Sequence, residues 1–406
     1  MPEETIYEEL SIPHVVNATG TKTRIGGSRI RSEAVEAMAR ASEAFVRLSD
    51  LQAKSSELIA EATGADAGYV TAGASSALAL GAAACIVGDD IGAMARLPNT
   101  ADVPNEIIMP RTHRSGYDHA LRSVGAQIVD VGTNDCHLGT GSRNIEPWEI
   151  ADAINEETAA VAYMEKTYTE PPLEVVCEIA HDHGVPVIVD AAAELPPVSN
   201  LTAFIETGAD LVAFSGGKAI RGPQTTGILA GRADLIESVA AQHLDMHAAE
   251  QVWEPAPTLV NSKRLGGVPR QGIGRSMKVG KEEIVGLIRA LQLFVEEDHD
   301  AKIEGWLDRS RRISDRLDEV PSLETSLTSD DKTAVAPEVV VSVDSDVAEV
   351  TATDVVGGLR REKPRVFVGA DALSVGEFTV NPMCLTDEET EYVVERIIAQ
   401  VEKKSS

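Results

Sequence analysis

The sequence predicts an α/β fold, with a large domain on a mostly parallel sheet and a smaller C-terminal α+β domain. Three observations carry that expectation. Between about residues 56 and 242, short apolar runs alternate with segments of helical periodicity, the rhythm of strand–helix–strand units. The runs are continuous rather than alternating, which suits strands buried on both faces. After about residue 243 a stretch rich in Gly, Pro, Arg and Lys intervenes, and helices and strands then follow in a different order. The 406 residues, 43% of them hydrophobic, suffice for two cores.

In chain order, residues 1–50 read as an N-terminal arm and 51–280 as the large domain. Helical periodicity in SSELIAEAT ends at Gly64, a favourable stop. Strands are expected at 68–71, 106–109, 127–131, 159–164, 186–190, 210–214 and 226–230. Helices are expected between most of them, at 116–124, 146–154, 174–183 and 201–207. Residues 281–406 read as a connecting helix, EEIVGLIRALQLFVEE, and the small domain. That domain begins with a helix near 303–320 and an acidic Ser/Thr/Asp loop near 322–333. A strand in PEVVVSVD, a helix near 350–361 and strands near 365–368 and 376–380 follow. The last helix opens at Thr386-Asp387-Glu388-Glu389, a capping signal.

The formal net charge is −29, and only 12 of the 36 Lys+Arg are lysine, against 65 Asp+Glu. Acidic residues are spread along the whole chain. Such a surface repels nucleic acid and anionic membranes, so neither is expected as a partner. Scarce lysine and abundant acid suggest a haloarchaeal-type, salt-adapted composition; an ordinary acidic mesophile protein is the alternative. Cys85, Cys136, Cys177 and Cys384 show no metal-ligand spacing. His243 and His247 are four apart, as in a helical metal pair. No third ligand is evident, so a solvated or interface face is favoured and no metal is expected. MPEETIYEEL has neither a basic nor an apolar leader, and no run of 18 apolar residues occurs, so the expected location is cytoplasmic.

The chemistry gathers at strand ends. Ala209 to Phe214 ends in Ser215-Gly216-Gly217-Lys218, which puts a lysine just past a buried strand, where α/β sheets bind ligands. A partly desolvated lysine there has a lowered pKa and can condense with an aldehyde. Alone, the pattern fits equally a solvent-facing or phosphate-binding lysine. Two neighbours alter that balance. Asp190 ends the strand Pro186-Val187-Ile188-Val189-Asp190, where a carboxylate can keep a pyridine nitrogen protonated. Val70-Thr71-Ala72-Gly73-Ala74-Ser75 joins a strand to an Ala-rich helix whose N-terminal amides can receive a phosphate. Phosphate turn, aspartate and lysine together point to pyridoxal 5′-phosphate, with Lys218 as the Schiff-base lysine.

Those segments resemble the selenocysteine synthase-like family of fold-type I pyridoxal-phosphate enzymes, which includes L-seryl-tRNA selenium transferase and an ammonia-lyase branch acting on amino-sugar acids. The resemblance is carried by Val16-Asn17-Ala18-Thr19-Gly20 with Gly26-Gly27-Ser28, and by Gly64 to Ala74. Ser215 to Gly227 and Arg275-Ser276-Met277-Lys278-Val279-Gly280 extend it. It implies Lys218 for the cofactor aldehyde and Asp190 for the ring nitrogen. Gly73, Ala74 and Ser75 are implied for the phosphate, with Ser215 a further contact. His113 resembles the family's ring-stacking histidine; the alternative is a loop histidine bonded to backbone. Lys278 lies in a segment implied near the cofactor or a subunit boundary, or is simply a helix-entry cation. A homodimer or higher homo-oligomer is also implied.

The resemblance implies a small-molecule amino substrate and a lyase reaction, α,β-elimination with deamination of a small hydroxy amino acid or amino-sugar acid phosphate. Selenium or sulfur transfer to an aminoacylated substrate is the runner-up, and a cofactor-binding protein without turnover is the third possibility. This chain starts almost directly at the catalytic region and is strongly acidic, both unfavourable to a tRNA partner. Where relatives place anchoring arginines, this sequence has Gly369 and Met383. Arg365 is a candidate substitute, or a surface residue. Arg24, Arg29 and Arg31 are candidates either for holding an anionic substrate or for pairing with acids of a neighbouring subunit.

Overall fold

The computed structural model describes residues 5–133, 144–166, 169–244, 246–270, 272–328 and 336–402; Cys136 lies outside them. Twelve strands occur among these residues. They are β1 (Val15–Ala18), β2 (Ala67–Thr71), β3 (Glu106–Pro110), β4 (Gln127–Val131), β5 (Thr158–Met164) and β6 (Val187–Asp190). The rest are β7 (Leu211–Ser215), β8 (Gly227–Gly231), β9 (Leu323–Leu327), β10 (Val339–Val343), β11 (Arg365–Val368) and β12 (Glu377–Val380).

The chain forms two compact units, Ile30–Glu297 and Met1–Arg29 with Asp298–Ser406. This differs from the expected three-part division. Residues 15–18 are not part of a free arm: β1 pairs in parallel with β11, which draws the chain's start into the C-terminal unit. The helix Lys281–Glu296 belongs to the large unit, where Ile284, Leu287, Leu291 and Phe294 are buried in its core.

The large unit is built on a seven-stranded sheet in the order β2-β8-β7-β6-β5-β3-β4. Neighbours are parallel except at β8, which runs antiparallel to both β2 and β7. Apolar residues cover both faces and form two clusters. One face is packed by the helix Ala74–Val87, apolar nearly all round and buried from Ala77 to Val87 apart from Cys85. A helix without a polar face can only be a core helix. Truncating its Leu80, which is 0% exposed, to Ala removes about 2–5 kcal/mol of stability. Parallel β3, β4, β5, β6 and β7 all point their carboxyl ends at one edge of the sheet, and β2 joins them there.

In the other unit, β12-β10-β9 form an antiparallel sheet. β9 replaces part of the acidic loop expected at 322–333, because Leu323 is buried and the strand pairs with Val339–Val343. Residues 329–335 lie outside the described residues. The last helix, Asp387–Glu402, is capped as its sequence predicts: the Thr386 amide donates to Glu389 at 2.9 Å, and the Glu389 amide donates to the Thr386 hydroxyl at 3.2 Å. Gly369 faces Thr379, and a β-carbon there would stand 2.1 Å from the Thr379 hydroxyl oxygen, so a larger residue at that position would displace the Thr379 side chain. Among the described residues no helix is long and apolar enough to cross a membrane.

Candidate active site

The carboxyl-end edge of the large sheet brings four segments into line. β2 ends at Thr71, β8 begins at Gly227 opposite it, β7 ends at Ser215 opposite the same glycine, and β6 ends at Asp190. Gly73, Ala74, Ser75, Asp190, Ser215 and Lys218 therefore sit at or just beyond these ends, and His113 lies just beyond the end of β3. All five residues of β2 and of β8 are buried.

After β2 the chain turns at Gly73, whose φ of +87° favours glycine, and enters the helix Ala74–Val87. The Thr71 hydroxyl donates to the Gly73 carbonyl at 3.0 Å and steadies the turn. β8 presses against it from the side, since a β-carbon on Gly227 would lie 2.4 Å from the Gly73 carbonyl carbon. No side chain caps this helix. Its first amides and its dipole thus face outward at Ala74 and the exposed Ser75, an arrangement suited to a dianionic phosphate.

Asp190 is held at the end of β6, one carboxylate oxygen accepting from the Ala192 amide at 3.1 Å. Burial raises its pKa, while the ammonium groups of Lys218 and Lys166 pull it down. A carboxylate so placed gains from a cationic partner such as a protonated ring nitrogen. Lys218, half-buried, follows Gly216 and Gly217 on the neighbouring strand. Ser215 is half-buried at the strand's last position. Backbone amides for a phosphate, a carboxylate for a pyridinium and an amine for an aldehyde make a donor set that fits pyridoxal phosphate.

His113 is less open than its sequence position suggests. It is 0% exposed, its Nδ1 accepts from the Met164 amide at 3.4 Å, and its Nε2 donates to the Glu170 carbonyl at 3.1 Å. Its ring stands edge-on to Tyr163, centroids 4.6 Å apart. Burial holds its pKa down at about 4, so the ring is neutral. Both ring nitrogens are thus bonded to backbone, an arrangement compatible with either expectation for this residue. Beyond it, Arg114 bridges Asp118 at 2.6 Å and Asp130 at 2.7 Å, pinning the segment that carries Ser115 and Tyr117. Those two residues line a small cavity together with Asp190, Met164 and Leu78.

Sequence reasoning missed a second charged group at this edge. Glu165 and Lys166 directly follow β5, as Lys218 follows β7, and that shared position was the available signal. The Glu165 amide donates to the Asp190 carbonyl at 3.0 Å. Lys166 is ion-paired with Glu194. Burial and the nearby Glu194 carboxylate push Glu165 up to about 7, against the pull of Lys166.

Lys278 is exposed and follows a short turn, Ile273–Met277. A buried relay fastens that turn to the sheet: the Tyr69 hydroxyl donates to His243 Nδ1 at 2.8 Å, and His243 Nε2 donates to the Met277 carbonyl at 3.0 Å. His243 is thereby a frame residue. Among the described residues no group of His, Cys, Asp and Glu could hold a metal ion. In the other unit Arg24 is exposed in a turn, Arg29 pairs with Glu389 at 2.5 Å, and Arg365 is exposed at the start of β11.

Comparison with known proteins bears on this geometry. Residues 123–261 match the family model described as aminotransferase class-V. The chain is 30% identical over 96% of its length to a Streptomyces 5′-C-glycyluridine monooxygenase-decarboxylase, 90% of which is covered. It is also 30% identical over 97% of its length to D-glucosaminate-6-phosphate ammonia lyase of Salmonella typhimurium, with 96% covered. A solved structure of D-glucosaminate-6-phosphate ammonia-lyase superposes with a TM-score of 0.81 at 28% identity, covering 98% of this chain and 99% of that one. An L-seryl-tRNA(Sec) selenium transferase of Aquifex aeolicus is 24% identical over 60% of this chain and 53% of its own length. The chain belongs to the pyridoxal-phosphate-dependent, fold-type I enzyme family of D-glucosaminate-6-phosphate ammonia lyase.

Proposed function

We propose that this protein is a lyase that releases ammonia from a small hydroxy amino acid or amino-sugar acid phosphate, with Lys218 carrying the cofactor. The observation that supports it best is the alignment of an uncapped helix N-terminus, Asp190 and Lys218 along one sheet edge. When bound, pyridoxal phosphate supplies an electron sink for the charge that develops at the substrate α-carbon. Gly73, Ala74 and Ser75 would hold its phosphate, with Ser215 as a further contact, and Asp190 would keep its ring nitrogen protonated. His113 serves from behind, by fixing the backbone at Met164 and Glu170 rather than by titrating.

With its amine free, Lys218 would take the substrate's α-proton at Nζ. Lys218 then holds a proton it can pass to the departing β-hydroxyl, so that the C–O electron pair leaves with water. Water adds as the carbon–nitrogen bond breaks. The balance is substrate to keto acid and ammonia, with no oxidant or reductant consumed.

A negatively charged substrate is supported by residues 261–281, which hold six Lys or Arg and no Asp or Glu in a chain of net charge −29. Lys278, exposed within that stretch, is the anchor we favour. Arg24 and Arg365 are further candidates. The same net charge disfavours transfer to a tRNA-bound substrate. We read the protein further as a cytoplasmic, salt-adapted homo-oligomer of at least two subunits.

The test is spectroscopic and then chemical. In high salt, the protein should give the visible band of lysine-bound pyridoxal phosphate, and Lys218→Ala should lose it. A panel of D- and L-hydroxy amino acids and amino-sugar acid phosphates should then yield ammonia and keto acid in equal amounts. Oxygen uptake without ammonia would favour chemistry of the kind the Streptomyces relative is named for. A stable band with no product from any compound would favour cofactor binding without turnover.

A further inference from the structure

We infer that Arg31 is a positioning residue for Lys218, a role that rests on the reading of Lys218 given above. Arg31 is the residue that opens the helix Ser32–Ser42, so its backbone is fixed by that helix, and it is only 9% exposed. Its amide donates to the carbonyl of Arg221 at 3.0 Å, and its Nε donates to the carbonyl of Ile220 at 3.0 Å. Its two terminal nitrogens face the carboxylate of Glu297 at 2.7 and 3.4 Å. One residue thus holds two consecutive carbonyls just beyond Lys218, Arg221 through its backbone amide and Ile220 through its side chain, and that side chain is itself held by a carboxylate with 21% of its side chain accessible.

The gripped turn needs such a hold. Arg221 sits at φ +60°, a left-handed conformation that costs a non-glycine residue about 1–2 kcal/mol and persists only where the surroundings impose it. Within the turn, the Arg221 amide donates to the Lys218 carbonyl at 3.1 Å, and the Gly222 amide donates to the Gly216 carbonyl at 2.8 Å. Gly216, Gly222 and the helix Lys281–Glu296 meet closely at Leu287, whose methyl would stand 2.5 Å from a β-carbon on Gly216. Leu287 fixes the turn from one side by packing. Arg31 fixes it from another by hydrogen bonds. Lys218 lies between the anchored residues, so the height and direction of its Nζ follow from both.

The test uses the full chain loaded with pyridoxal phosphate and compares the parent with Arg31→Met and Arg31→Lys. Thermal unfolding, visible-region circular dichroism of the bound cofactor, and kcat and KM for ammonia release are measured. Arg31→Lys keeps a cation for Glu297 but has no Nε–H for Ile220. It should therefore recover most of the thermal stability that Arg31→Met loses, without recovering kcat. In both, kcat should fall about tenfold while KM changes less than about twofold, and the visible dichroism should weaken, because a small displacement of a reacting group has a large kinetic effect. If Arg31→Met fails to fold, Arg31→Lys alone decides. Variants that lose stability yet keep the parental dichroism and kcat would reduce Arg31 to a structural residue and overturn the inference. A parent without any visible band would overturn the Lys218 reading, and this inference with it.

Discussion

Asp190 and Asp210 stand at opposite edges of the same sheet, twenty residues apart, and show how two enclosed carboxylates differ in purpose. Asp210, just before β7, accepts from the Val187 amide at 2.8 Å, from His181 at 2.9 Å and from Arg232 at 3.1 Å. It closes the amino-terminal edge, with both carboxylate oxygens engaged by the frame. Asp190, at the carboxyl edge, accepts one amide hydrogen bond among the described residues and otherwise feels only the fields of Lys218 and Lys166. A buried acid with many partners is part of the frame. One with a single partner and a raised pKa is prepared for something that arrives later.

The largest effect should come from breaking the under-satisfied member. Asp190→Asn should lower kcat/KM by at least about a hundredfold, because the ring nitrogen loses its anionic partner, while thermal unfolding of the cofactor-free protein stays level or improves. A fall in both activity and stability would make Asp190 a frame residue like Asp210.

The next effect concerns His113, which lies at the catalytic edge yet is satisfied like Asp210. Its folded pKa of about 4 is below the ordinary value of 6.5, so between those limits the unfolded chain binds more protons than the folded one. Its contribution is complete above pH 6.5 and is lost as pH falls toward 4, on the order of 3 kcal/mol in all. Urea midpoints of the parent should therefore drop more steeply than those of His113→Gln between pH 7 and pH 4.5. Parallel pH profiles would show that the ring titrates normally.

The smallest effect is at the frame. Asp210→Asn should cost about 2 kcal/mol of stability through weakened bonds to Val187, His181 and Arg232, and leave kcat per folded molecule unchanged. Urea titration with activity normalised to folded protein measures both. A loss of kcat here would mean that the two edges are coupled.

Much of the frame was legible in the sequence because it is local. The strand at 127–131 matches β4 and that at 365–368 matches β11, and the other expected strands agree to within a residue or two, since continuous apolar runs bounded by polar turns leave little choice of bounds. Lys218 and Asp190 were legible as candidates because each follows such a run directly. What the sequence hid depends on distant partners. The antiparallel direction of β8 is decided by pairing with β2, some 160 residues earlier, and β1 looked like an arm because its partner β11 is about 350 residues away. His113 is confined by Met164 and Glu170, which no local pattern reveals.

The position of β8 has a consequence for biosynthesis. β2 lies at the edge of the sheet, and β8 is its one neighbour there among the described residues. On a ribosome adding about 5–20 residues per second, roughly 8–30 s separate the emergence of the two strands. Throughout that interval the turn at Gly73 hangs from an unpaired strand that is wholly buried in the finished fold, the kind of edge that chaperones shield and that otherwise recruits other chains. A nascent chain stopped just short of Gly227 already contains Lys218, Asp190 and Gly73. It still lacks the strand that joins the Lys218 side of the sheet to the Gly73 side, so the complete edge arrives late and all at once.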